Sequence, residues 1–234
     1  MLISTFADLD RGDINDLAAA VKKAKKPDLL LIAGDVAFMG DSDQTKKYTE
    51  MLKIIEDAKW TCPIVAVFGN HESGEPNETE IINKFKDKIH FLRDQSLKLT
   101  IKGKTIGIVG SIGVLDSTTL WESDGIVGVF DQFGSSIEKL NKLLKSLDTD
   151  IKILLTHYAP TYKTLEGEPE ELLEVMGSEV MERILKRTKP DFAIHGHAHH
   201  GIPLAFVDKI PVINAAFPVN HKIIELDPDN LPKP

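Results

Sequence analysis

Pro27-Asp28-Leu29-Leu30-Leu31-Ile32-Ala33-Gly34-Asp35 decides how this chain is read. Five consecutive apolar residues have strand length and show no polar alternation. That is the pattern of a parallel strand covered on both faces. Pro27-Asp28 closes whatever helix precedes the strand. Gly34-Asp35 then places a carboxylate just past its C-terminal end, where open α/β sheets collect ligands and catalytic groups.

Four more short clusters follow the same logic: Asp8-Leu9-Asp10, Gly69-Asn70-His71-Glu72, His157, and Gly196-His197-Ala198-His199. Each sits at the end of an apolar run. Asp, Asn and His suit borderline-to-hard divalent cations. Residues two apart in extended chain face the same way, so Asp8 can converge with Asp10, and His197 with His199. Taken singly, most have a plainer explanation. Gly34-Asp35 alone reads as a strand-to-turn cap ahead of a ligand, Asn70-His71 as turn chemistry, and His157 as an ordinary core or surface histidine. Residues 195–200 differ, because they hold four of the chain's eight histidines. A mundane account must make all five clusters coincide, each after its own strand.

Outward from these clusters, the first half alternates strand and helix. An apolar strand at 2–7 precedes a helix capped by Asp13 and running to about 26, with Ile14, Leu17, Ala18 and Val21 on one face. A helix over 43–58 carries Tyr48, Met51, Leu52 and Ile55 on one stripe and leads to a strand at 63–68. This βαβαβ order predicts a parallel sheet with right-handed crossovers. A short helix is expected at 79–85, and Lys102-Gly103-Lys104 marks a hairpin between strands at 97–101 and 105–110. Residues 111–128 read as a long, functional loop. An amphipathic helix at 137–147, a strand at 151–156, one or two helices over 170–187 and a very short strand at 192–194 follow. Residues 203–207, 210–216 and 222–226 read as antiparallel strands, and 227–234 as a loose tail. The expectation is one α/β domain over 1–234, with a second, partly antiparallel sheet.

The chain has 234 residues, 42% hydrophobic and 27% charged, with a formal net charge of −8. That length buries a large core without disulfides, and Cys62, the only cysteine, has no partner in the chain. These points, with no signal-like residues at 1–10 and no apolar stretch near the roughly 18 residues of a membrane span, predict a cytoplasmic protein with no membrane partner. Acidic balance disfavours nucleic acid, which needs clustered cations. Lys22, Lys23, Lys25 and Lys26 gather at a helix end, where they suit the dipole.

The ordered set Asp8-Leu9-Asp10, G-D, G-N-H-E, a lone His and G-H-x-H resembles the pattern D-x-H, G-D, G-N-H-[DE], His, G-H-x-H of the calcineurin-like metallophosphoesterase superfamily, which includes purple acid phosphatases and class III cyclic-nucleotide phosphodiesterases. The resemblance runs from Asp8 to His199. It includes the flanking text at 27–35 and Leu154-Leu155-Thr156-His157-Tyr158-Ala159-Pro160. It implies a four-layer αββα sandwich of two mixed β-sheets flanked by helices. It implies two divalent ions drawn from Mn, Fe, Zn, Co or Ni. Asp8, Asp10, Asp35 and His199 would hold one, and Asp35, Asn70, His157 and His197 the other, with Asp35 bridging. His71 would face the phosphoryl group instead of a metal. One residue departs from the pattern: the family places His where this chain has Asp10. A carboxylate there favours Mn or Fe over Zn. It could ligate directly, ligate through water, or turn away to cap the next turn.

The expected activity is hydrolysis of a phosphate ester, a diester above a monoester, by attack of a metal-activated hydroxide. His71 would act as electrostatic donor or general acid. A small phosphorylated molecule, a nucleotide among the candidates, is the expected partner, and oligomerisation is left open. Glu72, Glu75, Trp121, Tyr158 and Tyr162 are the selectivity candidates. Two rivals stand beside this reading: a catalytically silent scaffold on the same fold, and a nuclease.

Overall fold

The computed structural model describes residues 1–10, 12–116 and 126–234. The first sheet has the order β11-β1-β2-β3-β4 and the second β5-β6-β7-β8-β10-β9. Here β1 is Ile3–Phe6, β2 Leu29–Ala33, β3 Ile64–Val67, β4 His90–Phe91, β5 Gln95–Ile101 and β6 Lys104–Ser111. The remainder are β7 Ile151–Thr156, β8 Phe192–His195, β9 Leu204–Val207, β10 Ile210–Asn214 and β11 Ile224–Leu226. Strands β1, β2, β3 and β4 pair in parallel, as do β6, β7, β8 and β10.

The apolar run at β2 explains the layering. Leu30 and Ile32 pack into a core with Leu17 and Val21 of α1 (Ile14–Lys23) and Tyr48, Met51 and Ile55 of α2 (Gln44–Asp57). Ile81 and Phe85 of α3 (Asn77–Phe85) complete that layer. Leu29, Leu31 and Ala33 face the other way, against Ile106, Ile108, Ile153, Leu155 and Ile194 of the second sheet. A third core lies beyond that sheet. There Leu140 and Leu144 of α4 (Ile126–Ser146) and Met181, Ile184 and Leu185 of α5 (Glu179–Thr188) cover Val109, Leu154 and Ala193. Helix, sheet, sheet, helix is therefore the order of layers; the central strand β2 is apolar on both faces because both are covered, whereas the edge strand β5 alternates with exposed residues. Asp13, Asp43 and Ser178 cap α1, α2 and α5 through their side chains.

Three expectations change. Helix α4 begins at Ile126, inside the span read as loop, and runs for 21 residues; Gly128, Gly134, Ser135 and Ser136 hide its 3.6-residue period. Residues 117–125, with Trp121, lie outside the described residues. The last strand, β11, joins the first sheet, antiparallel to β1. The tail is also anchored. Asp227 accepts from Asp229 N at 3.2 Å and from Asn230 Nδ2 at 2.6 Å, Asp229 pairs with Lys104, and Leu231 packs against the core between the sheets.

Candidate metal centre

The parallel strands end on one rim, and every cluster singled out in the sequence reaches it. Asp8 follows β1, and Asp35 follows β2. Both take left-handed backbone, with φ of 59° and 50°. The turns lock together through the main chain: Asp8 N donates to Gly34 O at 3.0 Å, and Leu9 N and Asp10 N donate to Asp35 O at 2.8 and 3.1 Å. Gly69 is required by close approach, since a Cβ there would lie 2.0 Å from Asp35 Oδ1.

The donors form three overlapping groups. Asp35, His157 and His197 bring one donor atom each to within 4.8 Å of one another, as do Asp8, Asp10 and His199, and Asp10, Asp35 and His71. Asn70 joins the first group, its Oδ1 lying 2.9 Å from His157 Nε2. His157 Nε2 is also 3.4 Å from Asp35 Oδ2. Its other ring nitrogen, Nδ1, faces Ala33 O at 2.9 Å, so Nδ1 carries the hydrogen and Nε2 is the atom directed into the cluster. His199 Nε2 lies 3.0 Å from Asp8 Oδ1. Asp35 and Asp10 each belong to two of these groups, which links the three into one cluster. All seven sequence-chosen donors, and His71, therefore converge.

Electrostatics match a cation site. Burial would raise the Asp35 carboxyl, but His157 and His71 outweigh it and hold it down at about 2. Burial would likewise lower His157, but Asp35 and Asp8 overcome that and lift it to about 9. The protein without metal thus keeps a positive charge beside Asp35, the role a divalent ion would fill. Burial, then His157, pushes His197 well down, which keeps its imidazole neutral and ligand-competent. Carboxylates, an amide oxygen and neutral imidazoles with no thiolate form a donor set suited to Mn²⁺, Fe²⁺, Co²⁺, Ni²⁺ or Zn²⁺. The residues fit the group.

Sequence reasoning missed the braces. Glu72 is fully buried. Its Oε1 accepts from Val36 N at 2.7 Å, Ala37 N at 2.9 Å and Tyr48 Oη at 2.9 Å, and its Oε2 from Gly69 N at 3.2 Å. It ties the turn after Asp35 to the turn before Asn70 and is no selectivity element. Burial, then Asp35, lifts its carboxyl to about 7. Gln44 Nε2 donates to His71 O at 2.7 Å. Asn214 Nδ2 donates to Ala198 O at 2.8 Å, holding the turn between His197 and His199. Of the other selectivity candidates, Tyr162 Oη donates to Asp116 Oδ2 at 2.8 Å and Glu75 accepts from Thr79 Oγ1 at 2.6 Å. Among the described candidates, Tyr158 meets the cluster, its ring edge-on to His197 with centroids 5.0 Å apart. His195 is buried, lowered to about 4 by burial, with Nδ1 on Gly196 O.

Two mixed sheets flanked by helices, with carboxylates and imidazoles on the shared rim, define the class of α/β metallophosphoesterases. The chain belongs to the calcineurin-like phosphoesterase family, whose model matches residues 2–201. It is 28% identical to a probable glycerophosphodiester phosphodiesterase of Arcobacter nitrofigilis, over 87% of this chain and 68% of that protein. It is 24% identical to a probable inactive purple acid phosphatase of Arabidopsis thaliana, over 84% of this chain and 32% of the relative. The chain thus spans about a third of that plant protein. In fold it resembles the phosphopantetheinyl hydrolase of Mycobacterium tuberculosis, at a TM-score of 0.67 and 17% identity, with 98% of each chain covered. Among the described residues, no helix is long and apolar enough to cross a membrane.

Proposed function

We propose that this chain is a metal-dependent phosphodiesterase working with two divalent ions, manganese or iron ahead of zinc. The observation that carries the proposal is the overlap of the donor groups: Asp35 belongs with His157 and His197 and also with Asp10 and His71, and Asp10 belongs in turn with Asp8 and His199. Asp8, Asp10 and His199 would complete one metal position, and Asn70, His157 and His197 the other. When bound, the ions supply Lewis acidity and lower the pKa of water toward neutrality. Everything else falls to the chain. Asp35 and Asp8 balance cationic charge in a buried setting. The carbonyl of Ala33 fixes the His157 tautomer. His71, on the same rim, would give a proton to the leaving oxygen. Preference for a diester is supported by the Arcobacter relative. The same reading puts a small phosphorylated molecule, not a nucleic acid, in the site.

Metal-stripped protein, reloaded with Mn²⁺ and offered bis(p-nitrophenyl) phosphate beside p-nitrophenyl phosphate, is the direct test. The expected result is metal-dependent turnover, faster on the diester, with about two ions per chain by elemental analysis. No turnover of either ester with any of Mn²⁺, Fe²⁺, Co²⁺, Ni²⁺ and Zn²⁺ would overturn it in favour of a silent scaffold. That second reading draws on the departure at Asp10 and on the inactive plant relative.

A further inference from the structure

Tyr158 stands next to His157 at the end of β7, and its main chain is fixed without help from its ring. Tyr158 N donates to Ile112 O at 2.8 Å, and its own carbonyl accepts from Thr156 Oγ1 at 2.8 Å. Gly113 presses on the same residue: a Cβ there would lie 3.1 Å from Tyr158 Cβ and 3.3 Å from its main-chain N and O. Gly113 also has a φ of +102°, which favours glycine. The loop after β6 thus holds Tyr158 by its backbone and leaves the ring to serve some other end.

That ring goes to the rim. Its centroid lies 5.0 Å from that of His197, with the planes at 76°, and 5.5 Å from that of His157, at 53°. The donor cluster is not open on every side. Asp8, Asp10, Asp35, His71 and His157 are buried, whereas His197 and His199 are half-buried. The cluster therefore meets solvent on its His197–His199 side. Tyr158 is half-buried beside His197, so its ring borders that opening. Phe38 also touches the cluster, edge-on at 5.2 Å, but to His71, which is buried. A phenol ring offers a large rigid surface at little cost in ordering, and aromatic rings prefer offset or edge-to-face contact with one another.

We propose that Tyr158 is a specificity-determining residue: its ring is a wall of the substrate site beside His197 and favours phosphoryl compounds that carry a planar aromatic ring over those that carry a small alkyl group. This rests on the phosphoesterase reading of the same site and names the substrate class more closely.

Phenylphosphonate and methylphosphonate, titrated calorimetrically into Mn²⁺-loaded protein, test the contact without turnover, because their carbon–phosphorus bonds leave no ester to hydrolyse. The wild type should bind phenylphosphonate about 2- to 10-fold more tightly than methylphosphonate. Y158F keeps the ring and should keep that ratio. Y158A should bring it close to one, and Y158L, which fills the space without a ring, should lower it too. Metal content by elemental analysis should match the wild type in all three. A ratio unchanged in Y158A and Y158L would overturn the proposal while leaving the phosphoesterase reading in place. Metal lost from Y158A and Y158L but kept by Y158F would overturn it as well, since the ring would then serve only to prop His197. If the wild type binds neither phosphonate, the proposal and the reading beneath it fall together. A protein that binds both but hydrolyses no ester still gives the ratio, which separates this result from the test of activity.

Discussion

The two halves of the rim are braced differently. Between β2 and β3, the brace and the proposed metal donors are separate residues. Glu72 gathers two main-chain N–H groups after Asp35, one before Asn70, and the Tyr48 hydroxyl, while Asp35 and Asn70 face the cluster. Between β1 and β8, one residue does both jobs. Asp8 accepts from His197 N at 2.9 and 3.1 Å and meets His199 Nε2 at 3.0 Å. Holding the His197–His199 turn and the proposed metal donation thus fall on a single carboxylate. Where tasks are divided, a substitution should separate geometry from chemistry; where they are fused, it should remove both.

The sharpest way to break this comparison is Asp8→Ala. It removes a donor from one proposed metal position and the anchor of His197, a proposed donor to the other. Loss of metal electrostatics is worth several kcal/mol of transition-state stabilisation, so kcat should fall by roughly 1,000-fold. Elemental analysis should find both ions weakened. If the ion held by Asp35, Asn70, His157 and His197 keeps its affinity, Asp8 is a donor only and the contrast between the halves disappears.

Glu72→Ala tests the divided half and should do less to chemistry and more to stability. It leaves buried donors from Val36, Ala37, Gly69 and Tyr48 without their shared acceptor. At about 1–3 kcal/mol for a buried group left unmet, the chain should lose about 3 kcal/mol or more. Chemical denaturation would measure the loss. Metal affinity should weaken about 10- to 100-fold, the usual cost of removing a supporting partner. At saturating metal, kcat should recover to within about tenfold, since the variant keeps every proposed donor. A kcat that stays low under saturation would mean that Glu72 takes part in the reaction itself.

The same contrast marks what could be read from the chain alone. Residues that end apolar strands were legible, because strand and donor are adjacent in sequence: Asp8, Asp35, Asn70, His157, His197 and His199 all reached the rim. The layering was legible too, since the run at 29–33 has no polar face to expose. Braces were not. Glu72 looks like an exposed turn acid until the turn after Asp35 folds over it, and Asn214 meets Ala198 across 16 residues of chain. Helix α4 was half hidden by glycine and serine, which weaken the periodic signal without preventing a helix. Nothing local says that Asp10 will meet His71, because that contact is made between two different strand ends.

The smallest expected effect is a pH dependence that the divided and fused halves share in the protein without metal. Both Glu72 and His157 are raised in the folded chain, to about 7 and about 9 from ordinary values of 4.5 and 6.5. A raised group binds its proton more tightly when folded than unfolded. Its contribution to stability is complete below the ordinary value and is lost as pH rises through the folded value. The loss should therefore begin for Glu72 above about 4.5, continue for His157 above 6.5, and end near 9. Asp35 has the opposite sign: lowered to about 2 from 3.8, it stabilises above 3.8 and gives that up as pH falls through 2. Metal-free protein should melt at its highest temperature on the acid side of neutrality and drop by several degrees toward pH 9. With metal bound, the cation would take the place of the His157 proton, and the slope above pH 6.5 should flatten. In Glu72→Gln the early part of the metal-free loss should vanish while the later part, from His157, remains. A metal-free melting curve with no slope between pH 6 and 9 would show that the buried charges of the rim are balanced by some other means than the His157 proton.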